Sequence, residues 1–109
     1  MEKLALGQLV EAQLEAARGN GGRSTALLVQ GEHSSVFQVL LALTEGGVLE
    51  DHGNPGDATL QVVRGRMRLR VGEAAVDLGE GDYVVIPHAD HRVDGLTDSA
   101  GIITTGSGD

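Results

Sequence analysis

Four histidines, at positions 33, 52, 88 and 91 of this 109-residue chain, are the side chains best suited to chemistry, and there is no cysteine. Imidazole is both the commonest metal ligand and the readiest general acid or base near neutral pH. Lack of thiols removes disulfides, thiolate nucleophiles and soft sulfur ligands together. His52 follows Asp51 and precedes Asn54 and Asp57, whereas His88 and His91 flank Asp90. Such groupings could hold one divalent cation, or bind a small carboxylate or carbonyl. His33, in Gly31-Glu32-His33-Ser34, reads as an exposed loop residue. Other chemistries find no support, for there is no GxSxG elbow, no phosphate-binding Gly loop ending in Lys and Ser or Thr, and no HExxH.

The elements that must position these histidines are short. Leu6, Val10, Leu14 and Ala17 recur at helical spacing with Glu11, Gln13 and Glu15 off the stripe, which predicts an amphipathic helix over about 3–18. Arg18 and Gly19-Asn20-Gly21-Gly22 end it, and residues 1–20 form an N-terminal helix and loop ahead of a β domain over 21–109. The helix reads as a lid on a barrel or on a partner subunit. Eight β-type runs follow, at 24–30, 35–44, 59–63, 66–71, 74–78, 83–86, 91–93 and 100–105, separated by glycine-rich turns. Eight short, closely spaced strands predict a barrel or sandwich. A two-residue turn at Arg64-Gly65 would pair Val63 with Arg66 and Val62 with Met67. The two runs would then share an apolar face (Ala58, Leu60, Val62, Met67, Leu69, Val71) and a polar one (Thr59, Gln61, Val63, Arg66, Arg68, Arg70). The arginine row reads first as a solvated face paired with neighbouring carboxylates, and second as an anion site.

Two stretches resemble the paired signatures of the cupin superfamily. Gly46, His52, Asn54, Ala58 and Gly65 fall on the places of Gly, HxH, Glu and Gly in the first signature. Gly81 and Pro87 match the second, with Ala89 in place of its Gly, His91 one residue early and Gly95 near its Asn. The resemblance implies an all-β fold, a small single-domain antiparallel β-barrel or jelly roll of the RmlC-like kind with a short N-terminal helix. It also implies one divalent transition metal, iron, manganese, nickel, copper or zinc, inside the barrel.

Two of the implied ligands have been replaced. Ala58 has no carboxylate, and Asn54 offers a neutral amide oxygen, a poor ligand for zinc or iron. The expected metal ligands are therefore His52 and His91, with Asn54 and His88 behind them and Asp90, Asp57 or Asp51 as further replacements. The expected pocket is His52, Asn54, Leu60, Val62, Met67 and His91, with His52, Asn54, Ala58 and Leu60 sharing one strand face.

Acidic residues outnumber basic ones 16 to 8, and a net charge of −8 repels nucleic acid. One Phe, one Tyr and no Trp leave little with which to stack an organic cofactor, so none is expected. No apolar run is long enough to span a bilayer, and the absence of Cys makes the cytoplasm the default location. The resulting expectation is a homodimeric cupin that binds a small molecule, a weakly held divalent metal, or both. A metal-dependent oxygenase or isomerase acting on a small organic acid or phenolic compound is the alternative, and an interaction protein with a filled barrel is the third reading.

Overall fold

A computed structural model describes residues 1–29, 35–51 and 57–106. Helix α1 covers Leu6–Arg18, and nine strands follow: β1 Arg23–Val29, β2 Val36–Leu43, β3 Val48–Asp51, β4 Ala58–Arg64, β5 Met67–Val71, β6 Ala74–Leu78, β7 Tyr83–Ile86, β8 His91–Gly95 and β9 Ser99–Gly106. All pairings are antiparallel, in a five-stranded sheet of order β1-β2-β9-β4-β7 and a four-stranded sheet of order β3-β8-β5-β6. This is the expected jelly roll with its N-terminal helix. Strand β3, four residues between Gly47 and Asp51, is the one addition to the runs read from sequence. It is too short for alternation to reveal it.

The Arg64-Gly65 hairpin does not form. Strands β4 and β5 belong to opposite sheets, and the chain turns a corner between them. A two-residue primed turn needs positive φ at its first central residue. Among the described residues only glycines have positive φ, so Arg64 does not supply it, although Gly65 does (φ 70°). The corner is packed tightly, since a Cβ on Gly65 would lie 2.3 Å from the Asp98 carbonyl oxygen. The facing pattern nevertheless holds, because each strand turns its apolar side to the space between the sheets. Ala58, Leu60, Val62, Met67 and Leu69 are buried there with Leu41, Leu43, Leu78, Ile86 and Val93.

Strand β2 explains why Leu40-Leu41-Ala42-Leu43 is an unbroken apolar run. Leu41 and Leu43 enter the core between the sheets, while Leu40 and Ala42 enter a second core beneath α1. A strand covered on both faces has no position left for a polar side chain. The helix lies on the outer face of the five-stranded sheet, burying Val10, Leu14 and Ala17 against Leu40, Ala42 and Ala100. Val10, Leu14 and Leu40 each contribute on the order of 1.5–3 kcal/mol by leaving water. Arg18 in its last turn donates to Glu15 (2.8 Å) and Asp98 (3.2 Å), and Arg64 on β4 pairs with Glu11. The helix is thus a third layer on the flank of the barrel, not a lid over its mouth.

Candidate functional site

Strand β8 carries His91 at its first position and, by alternation, presents His91 and Val93 to the core and Arg92 and Asp94 to the outer face. His91 is 8% exposed. Its Nδ1 lies 3.3 Å from the Ala89 carbonyl oxygen, which can only accept, so Nδ1 donates there. Among the described buried residues it is the only ionisable side chain on the inner face, since Asp94 lies on the outer one. By register His91 stands beside Asp51 of β3 on one side. On the other side, the β5–β8 pairing ends with Arg70 against Arg92, the residue after His91.

His52 and Asn54 lie outside the described residues, as do His33 and the expected turn around it. Of the strand face expected to carry His52, Asn54, Ala58 and Leu60, only Ala58 and Leu60 are among the described residues, both on β4. Ala58 is buried at the start of β4, where the resemblance implied a carboxylate. Leu60, Val62 and Met67 are wholly buried in the central core. Packing there is close: a Cβ on Gly101 of β9 would lie 2.8 Å from Leu60 Cδ1 and 3.2 Å from Met67 Sδ. His88 is exposed at the rim, with Nε2 3.2 Å from Asp57 Oδ1. Among the described residues no three His, Asp or Glu side chains converge. The described residues therefore do not by themselves amount to a metal site.

Two of the three arginines in the row, Arg68 and Arg70, are paired with carboxylates. Arg68 makes two hydrogen bonds to Asp77 on β6 (2.6 and 3.0 Å), and Asp94 accepts from Arg70 (2.9 Å) and Arg92 (2.7 Å). The bonds from Arg68 hold the Asp77 carboxyl below its ordinary range. Burial works against ionisation of Asp94, but the hydrogen bonds from Arg92 and then Arg70 outweigh it, so its pKa also falls. With one Asp94 oxygen taken by Arg92 and the other by Arg70, both guanidinium groups already have a carboxylate partner within the sheet.

A feature that periodicity did not reveal lies at the far edge of the barrel. Strand β6 pairs only with β5 and β7 only with β4, so two sheet edges face each other without backbone pairing. Between them is a cleft of about 180 Å³, walled by Leu69, Val71 and Val76 on one side and Val84, Val85 and Pro87 on the other, with Ala74 and Ala75 at its edge. The sequence signal was the absence of alternation: Ala74-Ala75-Val76 and Tyr83-Val84-Val85-Ile86 are apolar on both faces of what turn out to be edge strands.

A family model described as a cupin domain matches residues 39–104. The chain belongs to the cupin domain family. Solved cupins share its fold at low identity. A cupin-like protein from Thermotoga maritima superimposes with a TM-score of 0.73 at 23% identity, covering 81% of this chain and 71% of that one. A Streptococcus pyogenes protein of unknown function gives 0.72 at 18%, covering 83% and 78%. An RmlC-like cupin from Shewanella frigidimarina gives 0.69 at 22%, covering 81% and 78%. No curated protein matches. Within this cupin, no helix among the described residues is long and apolar enough to cross a membrane.

Proposed function

We propose that this cupin binds a small molecule at the His91 end of its barrel, above a floor made by Leu60, Val62 and Met67. The observation that carries the reading is a buried imidazole, the only ionisable group among the described buried residues of the inner face, hydrogen-bonded to the Ala89 carbonyl. A buried polar group on such a face fixes the orientation of a ligand while the apolar wall supplies most of the contact. His52 and Asn54 would complete the polar end. We place the protein in the cytoplasm as a homodimer, with neither nucleic acid nor membrane as a partner.

The second reading, a metal-dependent oxygenase or isomerase acting on a small organic acid or phenolic compound, is favoured by one observation. Ligating histidines commonly donate their other ring N–H to a backbone carbonyl, as His91 does to Ala89. His52 would then be the second ligand, with Asn54 or His88 completing the set.

Elemental analysis of the untagged protein beside a His52→Ala, His91→Ala double variant separates the two. The binding reading expects well under one equivalent of transition metal in either protein, and acetate-induced shifts of the His91 ring resonances in the wild type. Near-stoichiometric iron, manganese, nickel, copper or zinc that disappears in the variant would overturn it in favour of the enzyme.

A further inference from the structure

We propose that Asn20-Gly21, in the loop from α1 to β1, is a self-modifying site, where the Asn20 amide becomes aspartate or isoaspartate and the helix layer loosens as a result. Asparagine is among the thermolabile residues. The Gly21 backbone nitrogen, after losing its proton, bonds to the Asn20 side-chain carbonyl carbon; the bond from that carbon to Nδ2 breaks, and Nδ2 leaves as ammonia. Water then opens the cyclic imide. Attack at the side-chain carbon gives aspartate, and attack at the main-chain carbon gives isoaspartate, whose chain runs through Cβ and Cγ. Nothing is oxidised or reduced, and water is the co-reactant.

The structure selects this pair from the others that could react in the same way. The chain has two asparagines, Asn20 and Asn54, and one Asp-Gly pair, Asp94-Gly95. Pro55 has no N–H, so Asn54 cannot close the ring by this route. Gly95 is buried and its N–H is held by the Gly47 carbonyl (2.8 Å), so at Asp94 the attacking nitrogen is occupied. Asn20 and Gly21 are both exposed. The Gly22 N–H donates to the Ala17 carbonyl (2.9 Å), the outer bond of a Schellman ending with Gly21 at φ 70°. The inner bond of that motif, from the Gly21 N–H to the Arg18 carbonyl, is not made, and among the described residues the Gly21 N–H donates to no other oxygen. Space is open there too, since a Cβ on Gly21 would meet nothing within 4 Å.

The products bear on the helix. Asn20 Nδ2 donates to the carbonyl of Arg23, the first residue of β1 (2.9 Å), and a carboxylate cannot donate. Gly22 is fixed on the other side. Its carbonyl accepts from the Thr44 N–H (2.9 Å), and a Cβ on Gly47 would lie 2.2 Å from its oxygen. The added main-chain carbon of isoaspartate is therefore taken up on the helix side, where the Asn20 and Gly22 N–H groups both hold the Ala17 carbonyl (3.0 and 2.9 Å). Weakening that ending frees the last turn of α1, which carries buried Ala17.

The test is ageing of the full chain at mildly alkaline pH. Peptide mapping with isoaspartate methyltransferase labelling is expected to find isoaspartate at residue 20 together with released ammonia and an acidic shift in isoelectric focusing, and to find none at residue 94 until urea unfolds the chain. The folded chain should convert within about tenfold of the urea-unfolded rate, because ordering one exposed loop adds little to the barrier. In the separated aged form, hydrogen exchange should quicken over residues 14–18 and stay unchanged in β5 and β8. Asn20→Gln, which would need a larger ring, should stay unmodified. A folded rate slower than that tenfold, isoaspartate at residue 94 as fast as at residue 20, or unchanged exchange over 14–18 in the aged form would each overturn the inference. All three are read on the unaltered sequence, so none depends on the variant folding.

Discussion

Single residues in this protein are constrained most where the backbone approaches a neighbour or a charge is shielded. Gly101 is the clearest case of the first kind, with Leu60 and Met67 already against the place a Cβ would take. Gly101→Val should lower stability by about 1–3 kcal/mol, the usual cost of overpacking, seen as a lower denaturant midpoint at unchanged m-value. Asp94 is the second kind. Asp94→Ala leaves Arg70 and Arg92 unpaired and should cost about 1–3 kcal/mol in chemical denaturation. The acid response has a definite sign. Asp77, Asp94 and Asp98 all have folded-state pKa values below the ordinary carboxylate value; for Asp98 the Glu45 backbone N–H and then Arg18 are the causes. The stability they contribute is complete above the unfolded-state pKa of about 3.9 and is lost as pH falls through the lower folded-state values. Thermal midpoints should stay level from neutral pH to about 5 and decline below about 4, less steeply in Asp94→Ala than in the wild type.

At the scale of elements, the helix is a structural layer, and its removal from the sheet should be felt in the fold before it is felt in binding. Leu14→Ala empties a site between α1 and Leu40 and should cost about 2–5 kcal/mol while leaving acetate affinity in the folded protein unchanged. A selective loss of acetate binding would restore the lid. Much of this level was legible in residue order. The 3.6-residue stripe identified α1 because a buried helix face repeats whatever it packs on, and the strand faces followed from the two-residue pleat. Pairing was not legible, because Val62 and Met67 turn inward equally well as hairpin partners or as members of facing sheets. What decides between the two is the dihedral angle of Arg64, which residue type leaves open. The site was legible in part. The Gly81 to Pro87 spacing led to His91, whereas the cleft stayed hidden because no periodicity marks a strand as an edge. His52 and Asn54, the other half of the expected polar end, lie outside the described residues.

For the whole molecule, five strands oppose four, and the surplus strand lies at an edge. Strand β1 ends the five-stranded sheet, and Leu27, Val29, Val36 and Phe37 are exposed apolar side chains at its β1–β2 end. A second copy covering that edge is the homodimer proposed above, since unpaired apolar edges invite association. Light scattering at micromolar concentration should give twice the chain mass, falling to one chain mass in Leu27→Asp; a monomeric wild type would refute the dimer. The order of strands also bears on how the chain is made. Strand β9, last to be synthesised among the described strands, sits between β2 and β4 in the middle of its sheet, and Val36 at one end of its pairing waits for Gly106. Until β9 has left the ribosome, β1-β2 and β4-β7 are separate ribbons with nothing to join them, so the nascent barrel stays open through most of its translation. Loop closures of this length fold on the millisecond-to-second scale of other all-β domains, and a chaperone that shields apolar strands would meet its longest exposure here.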